Sequence, residues 1–147
     1  MTIQYPVKLS VVLTPVHHID PILVNIGINN NLTTVNLQDT ATINFEFATT
    51  ESCTLTVELP DKHDQEAVIV ESVSFFGIDD PKFAWAGIYQ PEYPEPWASQ
   101  QRSQGVVLKQ QLDAQTYLGW PGKWRLTFTV PVFTWVHQTQ NLGWIYG

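Results

Sequence analysis

Alternation of apolar and polar residues predicts β-strands along most of this chain. In ATINFEF (41–47) every second residue is apolar, and CTLTVEL (53–59) and WRLTFTV (124–130) repeat that pattern. Because successive side chains on a strand point to opposite faces, each segment should bury one face and expose the other. AVIVESVSFF (67–76) predicts a longer strand, and its less regular alternation indicates a bulge.

Less regular apolar runs add further predicted strands. These lie at residues 7–13, 22–28, 105–109, 132–137 and, as a last short strand, 142–147. Residues 99–115 contain good helix formers, but Gly105 interrupts them and their apolar residues lack helical spacing. We therefore expect at most one helical turn, directly after Trp97.

Turn-forming sequences separate these strands at short intervals. TTES (49–52) suits a hairpin loop, and further turns are predicted at NNN (29–31), PDKHD (60–64), GIDDP (77–81) and GWPGK (119–123). Many short strands with such turns predict an all-β fold, a single antiparallel β-sandwich over residues 1–147 with a long aromatic- and proline-rich loop region. We expect it to be jelly-roll-like rather than immunoglobulin-like.

The clearest strands supply the predicted core. Its members, all expected to be almost fully buried, are Phe45, Leu55, Val57, Leu126 and Phe128. Cys53 also lies on an alternating strand and is expected to be a small core residue rather than a reactive thiol. Because it is the only cysteine, an internal disulfide is excluded.

Composition and charge narrow the classes of partner. Only 14% of the residues are charged, against roughly 25% in typical globular chains, so Thr, Gln, Asn and Ser must cover much of the surface. The net charge of −7 disfavours nucleic acid and anionic membranes. The sequence has neither a signal-peptide pattern at its start nor an apolar run near the roughly 20 residues of a membrane span. We expect a soluble protein, either intracellular or carried on an assembled particle such as a virion.

Residues suited to catalysis are sparse. The four histidines have neither the spacing of a zinc site nor a G-x-S-x-G elbow nearby. Glu92 and Glu95, bracketed by aromatic residues, are the one pair that fits the two carboxylates of glycoside hydrolysis. We therefore expect a protein that is not an enzyme, and a glycan-acting enzyme is the third hypothesis.

GIYQPEYPEPW (87–97) concentrates three aromatic rings on a stiff segment. Its prolines cannot donate to a sheet ladder, so the segment fits no ordinary strand. Tyr and Trp combine a broad apolar face with a polar group, which suits stacking on sugar rings or burial in a protein interface. Alternatively, such rings form a small core beneath the loop. The candidate ligand-binding residues are Tyr89, Tyr93, Trp97 and Trp120, with Trp97 expected to anchor the segment and Tyr93 to stay accessible.

Acidic turns supply candidate ligands for calcium. Asp61 and Asp64 lie in PDKHD, and Asp79 and Asp80 are adjacent in GIDDP. Calcium takes about six to eight oxygen ligands, and two such loops at one end of a sandwich could provide them. The alternative is that all four are solvated turn residues, with Asp79 and Asp80 capping a turn before Pro81.

The order of segments over residues 40–97 resembles that of known binding modules. INFEF, LTVELPDKHD, AVIVESVSFFGIDD and GIYQPEYP follow one another as strands and loops do in calcium-dependent β-sandwich carbohydrate-binding modules. They are also similar to jelly-roll modules on structural proteins of tailed phages. The resemblance implies loop ligands at Asp61, Asp64, Asp79 and Asp80.

Two hypotheses on function follow. The leading one is a non-catalytic carbohydrate-binding module that uses an aromatic loop surface, with calcium as its candidate cofactor. The alternative is a structural or decorating subunit of a larger assembly such as a phage virion. In that case the same aromatic residues contact a partner protein subunit, and assembly into a homo-oligomer is open.

Overall fold

A computed structural model describes residues 3–16, 20–29, 31–60, 66–93 and 95–140. The strands, in chain order, are β1 (Tyr5–Val16), β2 (Ile22–Ile28), β3 (Asn31–Leu37), β4 (Ala41–Thr49), β5 (Cys53–Leu59), β6 (Ala67–Phe75), β7 (Ile78–Asp79), β8 (Ile88–Pro91), β9 (Leu112–Asp113), β10 (Tyr117–Leu118) and β11 (Gly122–Phe128). The helices are α1 (Pro81–Trp85), α2 (Trp97–Ser103) and α3 (Val132–Gln140).

Two antiparallel sheets face each other across a hydrophobic core. The first sheet has the order β10-β6-β1-β4, with β7 beside β6, and the second has the order β3-β2-β5-β11-β8-β9. Along β11, Trp124, Leu126 and Phe128 are buried, whereas Thr127 faces outward. The predicted antiparallel β-sandwich is therefore confirmed.

Strands that are neighbours in a sheet are often far apart in the sequence. In the first sheet β1 lies between β6 and β4, and the second sheet contains β3-β2-β5-β11. The finer expectation of a jelly-roll-like connectivity stays a prediction. The apolar period of two determines which face of a strand is buried, but it does not determine the neighbouring strand.

The loops between the strands agree with the predicted turns in some places and differ from them in others. Asn29 and Asn31 of the predicted NNN turn lie at the end of the β2–β3 hairpin, in which Ile28 pairs with Asn31 and Asn29 has a φ of 56°. TTES is not a hairpin loop, because β4 and β5 lie in different sheets. The predicted bulge is present: opposite β1 the register passes from Ser72 to Val70, so Glu71 is the extra residue.

The core contains most of the residues predicted for it. Leu55, Val57, Leu126 and Phe128 are completely buried. Phe45 is only half-buried, so this part of the prediction is wrong. Its strand β4 is the edge of the first sheet, and Phe45 faces a cleft of about 380 Å³ below the β2–β3 turn.

Cys53 is buried, as predicted, and burial raises the pKa of its thiol. A raised pKa disfavours the thiolate that reactive cysteines require. The position therefore supports a packing role.

The C-terminal part of the described chain is helical, so the strand predicted at 132–137 is wrong. In α3 the buried residues are Val132, Trp135 and Val136, which is the spacing of one helix face. The ring of Trp135 lies 5.1 Å from that of Phe75 and 5.5 Å from that of Phe83. Packing against these core rings therefore overrides the strand propensity of valine and aromatic residues.

Two other segments also differ from the prediction. Residues 105–109 form no strand. Helix α2 is seven residues long, from Trp97 to Ser103, and so exceeds the single turn that we expected after Trp97. The short strand predicted at 142–147 lies outside the described residues.

Candidate functional site

Three of the predicted ligand-binding residues form one aromatic cluster, which consists of Tyr93, Trp97 and Trp120. The ring centroids of Trp97 and Trp120 are 4.8 Å apart, and Tyr93 lies 6.1 Å from Trp97 and 5.6 Å from Trp120. The interplanar angles are 35°, 38° and 72°, and all three residues are half-buried. These rings pack against one another at angles and do not form a flat platform.

Hydrogen bonds fix the aromatic cluster to the sandwich. The Tyr93 hydroxyl donates to the Lys109 carbonyl oxygen over 2.7 Å, and the Glu92 N–H donates to the Pro121 carbonyl oxygen over 2.7 Å. The Tyr89 hydroxyl donates to the carbonyl oxygen of Trp120. The expectation that no part of the segment fits a strand is wrong for Ile88–Pro91, because this part forms β8 and pairs with β11 and β9. Its prolines end the ladder at Pro91, and beyond that residue side-chain and loop contacts hold the segment.

Tyr89 lies beneath the aromatic cluster, in the core. Its side chain is 0% exposed on the inner face of β8, and burial raises the pKa of its phenol. No ligand can reach this ring, so we do not retain Tyr89 among the ligand-contact residues. Tyr93 and Trp97 are both half-buried and touch each other, so the expected division into one anchor and one accessible ring stays a prediction.

The two carboxylates weighed for glycoside hydrolysis have different surroundings. Glu95 accepts a hydrogen bond from the Ser99 hydroxyl over 2.5 Å and lies 3.7 Å from the Arg102 guanidinium. Glu92 is exposed on the preceding loop. Glu95 therefore stabilises the start of α2, and a catalytic role of the pair stays a hypothesis.

Two of the four predicted calcium ligands, Asp79 and Asp80, lie among the described residues. The carboxylate of Asp80 accepts a hydrogen bond from the Lys82 N–H over 2.9 Å and so caps α1, while Asp79 is exposed on β7. Asp61 and Asp64 lie outside the described residues. Within residues 3–140, apart from the gaps noted above, no three His, Cys, Asp or Glu side chains come close enough to hold a metal ion.

A polar groove lies on the outer face of the second sheet. It has a volume of about 570 Å³ and is open to solvent on one side. We call it the sheet groove, and its lining residues are Asn29, Leu32, Thr54, Thr56, Lys123 and Arg125.

Strand pairing explains how the sheet groove forms. Thr56 is paired with Gly27 on one side and with Arg125 on the other, so all three share the outer face. A Cβ atom at Gly27 would lie 1.9 Å from the carbonyl oxygen of Asn31, which means that the backbone of β3 crosses close over this position. The glycine therefore allows β3 to form one wall of the groove, with Leu32 as its apolar residue.

Lys123 and Arg125 have different partners at the edge of the sheet groove. The Lys123 ammonium lies 3.6 Å from the Glu58 carboxylate, which also accepts a hydrogen bond from the Asn25 amide over 2.8 Å. Arg125 instead donates to the Gln90 side-chain oxygen over 2.5 Å. Arg125 thus has a neutral partner, whereas the charge of Lys123 is balanced.

No motif in the sequence points to the sheet groove. Four of its polar residues, Thr54, Thr56, Lys123 and Arg125, occupy the outward positions of β5 and β11. Alternation marks these positions as solvent-facing, but it does not distinguish a groove from an ordinary surface. The usable signal was the concentration of Thr, Lys and Arg at those positions, together with a glycine inside the apolar run of β2.

Comparison with known proteins adds no further assignment, because no family model, curated protein or solved structure matches this chain. None of the helices in the described parts of the chain has the length and apolarity needed to cross a membrane.

Proposed function

We propose that this protein binds carbohydrate without catalysis and that the ligand occupies the sheet groove. The observation that carries the proposal is the composition of that groove. Two threonines, an asparagine, a lysine and an arginine line a volume of about 570 Å³, and Leu32 adds one apolar residue. Ligand sites usually measure about 300–1,000 Å³, so the groove has room for a small saccharide unit.

The chemistry of the lining suits a polyhydroxylated ligand. Hydroxyl, amide and charged groups offer both donors and acceptors, which sugar hydroxyls need in order to replace their bonds to water. Leu32 can contact the C–H face of a sugar ring. The groove residues lie mainly on β5 and β11, whose regular pairing holds them at fixed separations.

In this proposal the aromatic cluster has a supporting role. Its rings are half-buried against one another, so their packing mainly orders the proline-rich segment. Only the remaining exposed parts of Tyr93, Trp97 and Trp120 are available to a ligand. The leading binding surface therefore moves from the aromatic loop to the sheet groove.

A blocking substitution tests the proposal. Thr54→Tyr places a large side chain in the sheet groove at a half-buried outward position, and tyrosine is well tolerated in strands. The matched control is Thr42→Tyr, on the exposed face of β4 in the other sheet. On a glycan array, we expect the wild type and Thr42→Tyr to bind the same glycans and Thr54→Tyr to lose them. Binding that survives in Thr54→Tyr, or no binding by the wild type, would contradict the proposal.

Calcium enters this proposal only as an additive to be tested. The array is run with millimolar calcium and with a chelator, because Asp79 and Asp80 were predicted as ligands together with Asp61 and Asp64. If calcium takes part, the chelator lowers binding and Asp79→Asn reproduces the loss. Equal binding under both conditions would remove calcium from the proposal.

The second candidate function is that of a structural subunit in a larger assembly. It is favoured by two large apolar side chains on the surface, Trp85 at 55% and Phe133 at 52% exposure. Phe133 stacks on Phe76 with centroids 4.9 Å apart, which presents an aromatic face to solvent. Such residues are common at the centres of protein interfaces. Sedimentation velocity tests the homo-oligomeric form of this candidate. Self-association that Phe133→Ser abolishes supports that form, and a monomer at all concentrations contradicts it.

A further inference from the structure

We infer that the sheet groove selects glycans that carry a carboxylate and that Arg125 is the residue that binds this group. This inference rests on the proposed function and names the chemical class of its ligand. It follows from the partners of the charged residues at the groove and from the charge of the whole chain.

Arg125 keeps most of its hydrogen-bonding capacity. A guanidinium carries five N–H donors, and one nitrogen of Arg125 donates to the Gln90 side-chain oxygen. Among the described residues, no carboxylate lies within ion-pair distance of Arg125. Gln90 therefore orients the guanidinium without neutralising it, and the side chain lines the groove.

The acidic residue nearest to Arg125 in register is already paired with other groups. Glu58 is the acidic residue closest in register, since it pairs with Lys123 one outward position away from the Thr56–Arg125 pair. Its carboxylate already contacts the Lys123 ammonium and the Asn25 amide. A bound anion would thus meet the uncompensated charge of Arg125 while Glu58 is held by other partners.

Cationic residues are scarce in this acidic chain, and two of them line the sheet groove. The protein carries −7 overall, with only seven lysines and arginines, yet two of these line the same groove. At physiological ionic strength charges more than about 8 Å away are largely screened, so Arg125, whose charge is not balanced by a carboxylate, dominates the field in the groove. Planar carboxylates match the fork of an arginine in a bidentate geometry, which favours a uronic acid or another carboxylate-bearing sugar.

The test compares paired glycans that differ in one functional group. The probes are oligogalacturonate and its methyl ester, sialylated and desialylated oligosaccharides, and sulfated oligosaccharides of equal length. Arg125→Gln removes the charge, Arg125→Lys keeps the charge without the fork, and Arg102→Gln is the matched control outside the groove. Thermal unfolding of each variant verifies that it is folded before titration calorimetry gives its Kd.

We expect at least a tenfold preference of the wild type for an acidic glycan over its neutral counterpart, and the same preference in Arg102→Gln. Arg125→Gln should abolish this preference, and Arg125→Lys should retain only part of it. Binding of neutral glycans alone, or binding that follows total sulfate charge, would overturn the carboxylate inference while leaving carbohydrate binding in place. If the wild type binds no glycan of any class, the proposed function itself is overturned.

Discussion

The hydroxyl group of Tyr89 donates a hydrogen bond to the main-chain carbonyl oxygen of Trp120. Tyr89 lies fully buried on β8, whereas Trp120 belongs to the half-buried aromatic cluster. The bond therefore connects the core of the sandwich to the loop that precedes β11. It is one of the contacts that hold the loop before β11 in a defined conformation.

Removing this hydrogen bond should destabilise the protein. Tyr89→Phe leaves the Trp120 carbonyl oxygen without its donor, which should cost about 1–3 kcal/mol of unfolding free energy. Tyr93→Phe is the control, because its bond to Lys109 lies at an exposed site where water can replace the hydroxyl. Urea unfolding measures the free energy of unfolding of both variants. Equal losses would show that the Tyr89 hydrogen bond contributes no more to stability than the Tyr93 bond.

The protein should lose stability at alkaline pH because the Tyr89 phenol and the Cys53 thiol are buried. Burial raises the pKa of Tyr89 above its ordinary value of 10.0 and that of Cys53 above 9.0, so the folded state keeps protons that the unfolded state has already lost. Stability is then fully present below about pH 9 and falls as pH rises through these values, by up to about 1.4 kcal/mol per pH unit and group.

Unfolding free energies measured between pH 8 and 11 test this dependence. Tyr89→Phe and Cys53→Ala should each flatten the slope, whatever their stability at neutral pH. A slope that neither variant changes would assign the alkaline loss to other groups.

Gly87 should not tolerate a side chain. A Cβ atom there would lie 2.1 Å from the Trp124 ring carbon Cζ2, and Trp124 is completely buried. Gly87→Ala should therefore force the indole to shift and cost about 1–3 kcal/mol, as overpacking usually does. The control is Gly119→Ala, whose nearest contact would be 3.3 Å from a partly exposed tyrosine ring. Chemical unfolding and Trp fluorescence report the difference, and similar values for both variants would contradict the close packing at Gly87.

Phe128 and Phe45 should differ in their contribution to stability. Phe128 is completely buried, with its ring 5.0 Å from that of Phe75, so Phe128→Ala should cost about 3–5 kcal/mol. Phe45 is half-buried on an edge strand, and Phe45→Ala should cost clearly less. Denaturant midpoints with unchanged m-values measure both, and a loss below about 1 kcal/mol for Phe128→Ala would conflict with its core position.

Trp97 and Trp120 should be energetically coupled. Their centroids are 4.8 Å apart, and aromatic pairs of this kind contribute about 0.5–1.5 kcal/mol beyond their buried area. A double-mutant cycle with Trp97→Ala and Trp120→Ala should give a coupling energy in that range. The pair Trp97 and Trp85 is the control, since Trp85 lies on α1 and has no ring contact with Trp97 among the described contacts. Additive losses for Trp97 and Trp120 would mean that the aromatic cluster is not a packed unit.

Part of the candidate site could be anticipated from sequence. Tyr93, Trp97 and Trp120 were selected as aromatic residues in a turn-rich region, and they do lie together. Tyr89 was selected on the same ground, but it occupies an inward position of β8 opposite Trp124. Composition identifies rings that prefer interfaces, yet only strand pairing determines which face each ring occupies.

The local pattern of apolar and polar residues was enough to predict the period of the main strands and therefore the faces that build the core. Leu55, Val57, Leu126 and Phe128 are buried because an extended backbone places every second side chain on one face, whatever the partner strand is. The tertiary structure alone decided the strand order and the conversion of residues 132–140 into a helix against Phe75 and Phe83. It also created the sheet groove, because Thr56, Arg125 and Gly27 come from strands far apart in sequence. Such non-local contacts depend on which surfaces can be buried together, and a local pattern does not encode that choice.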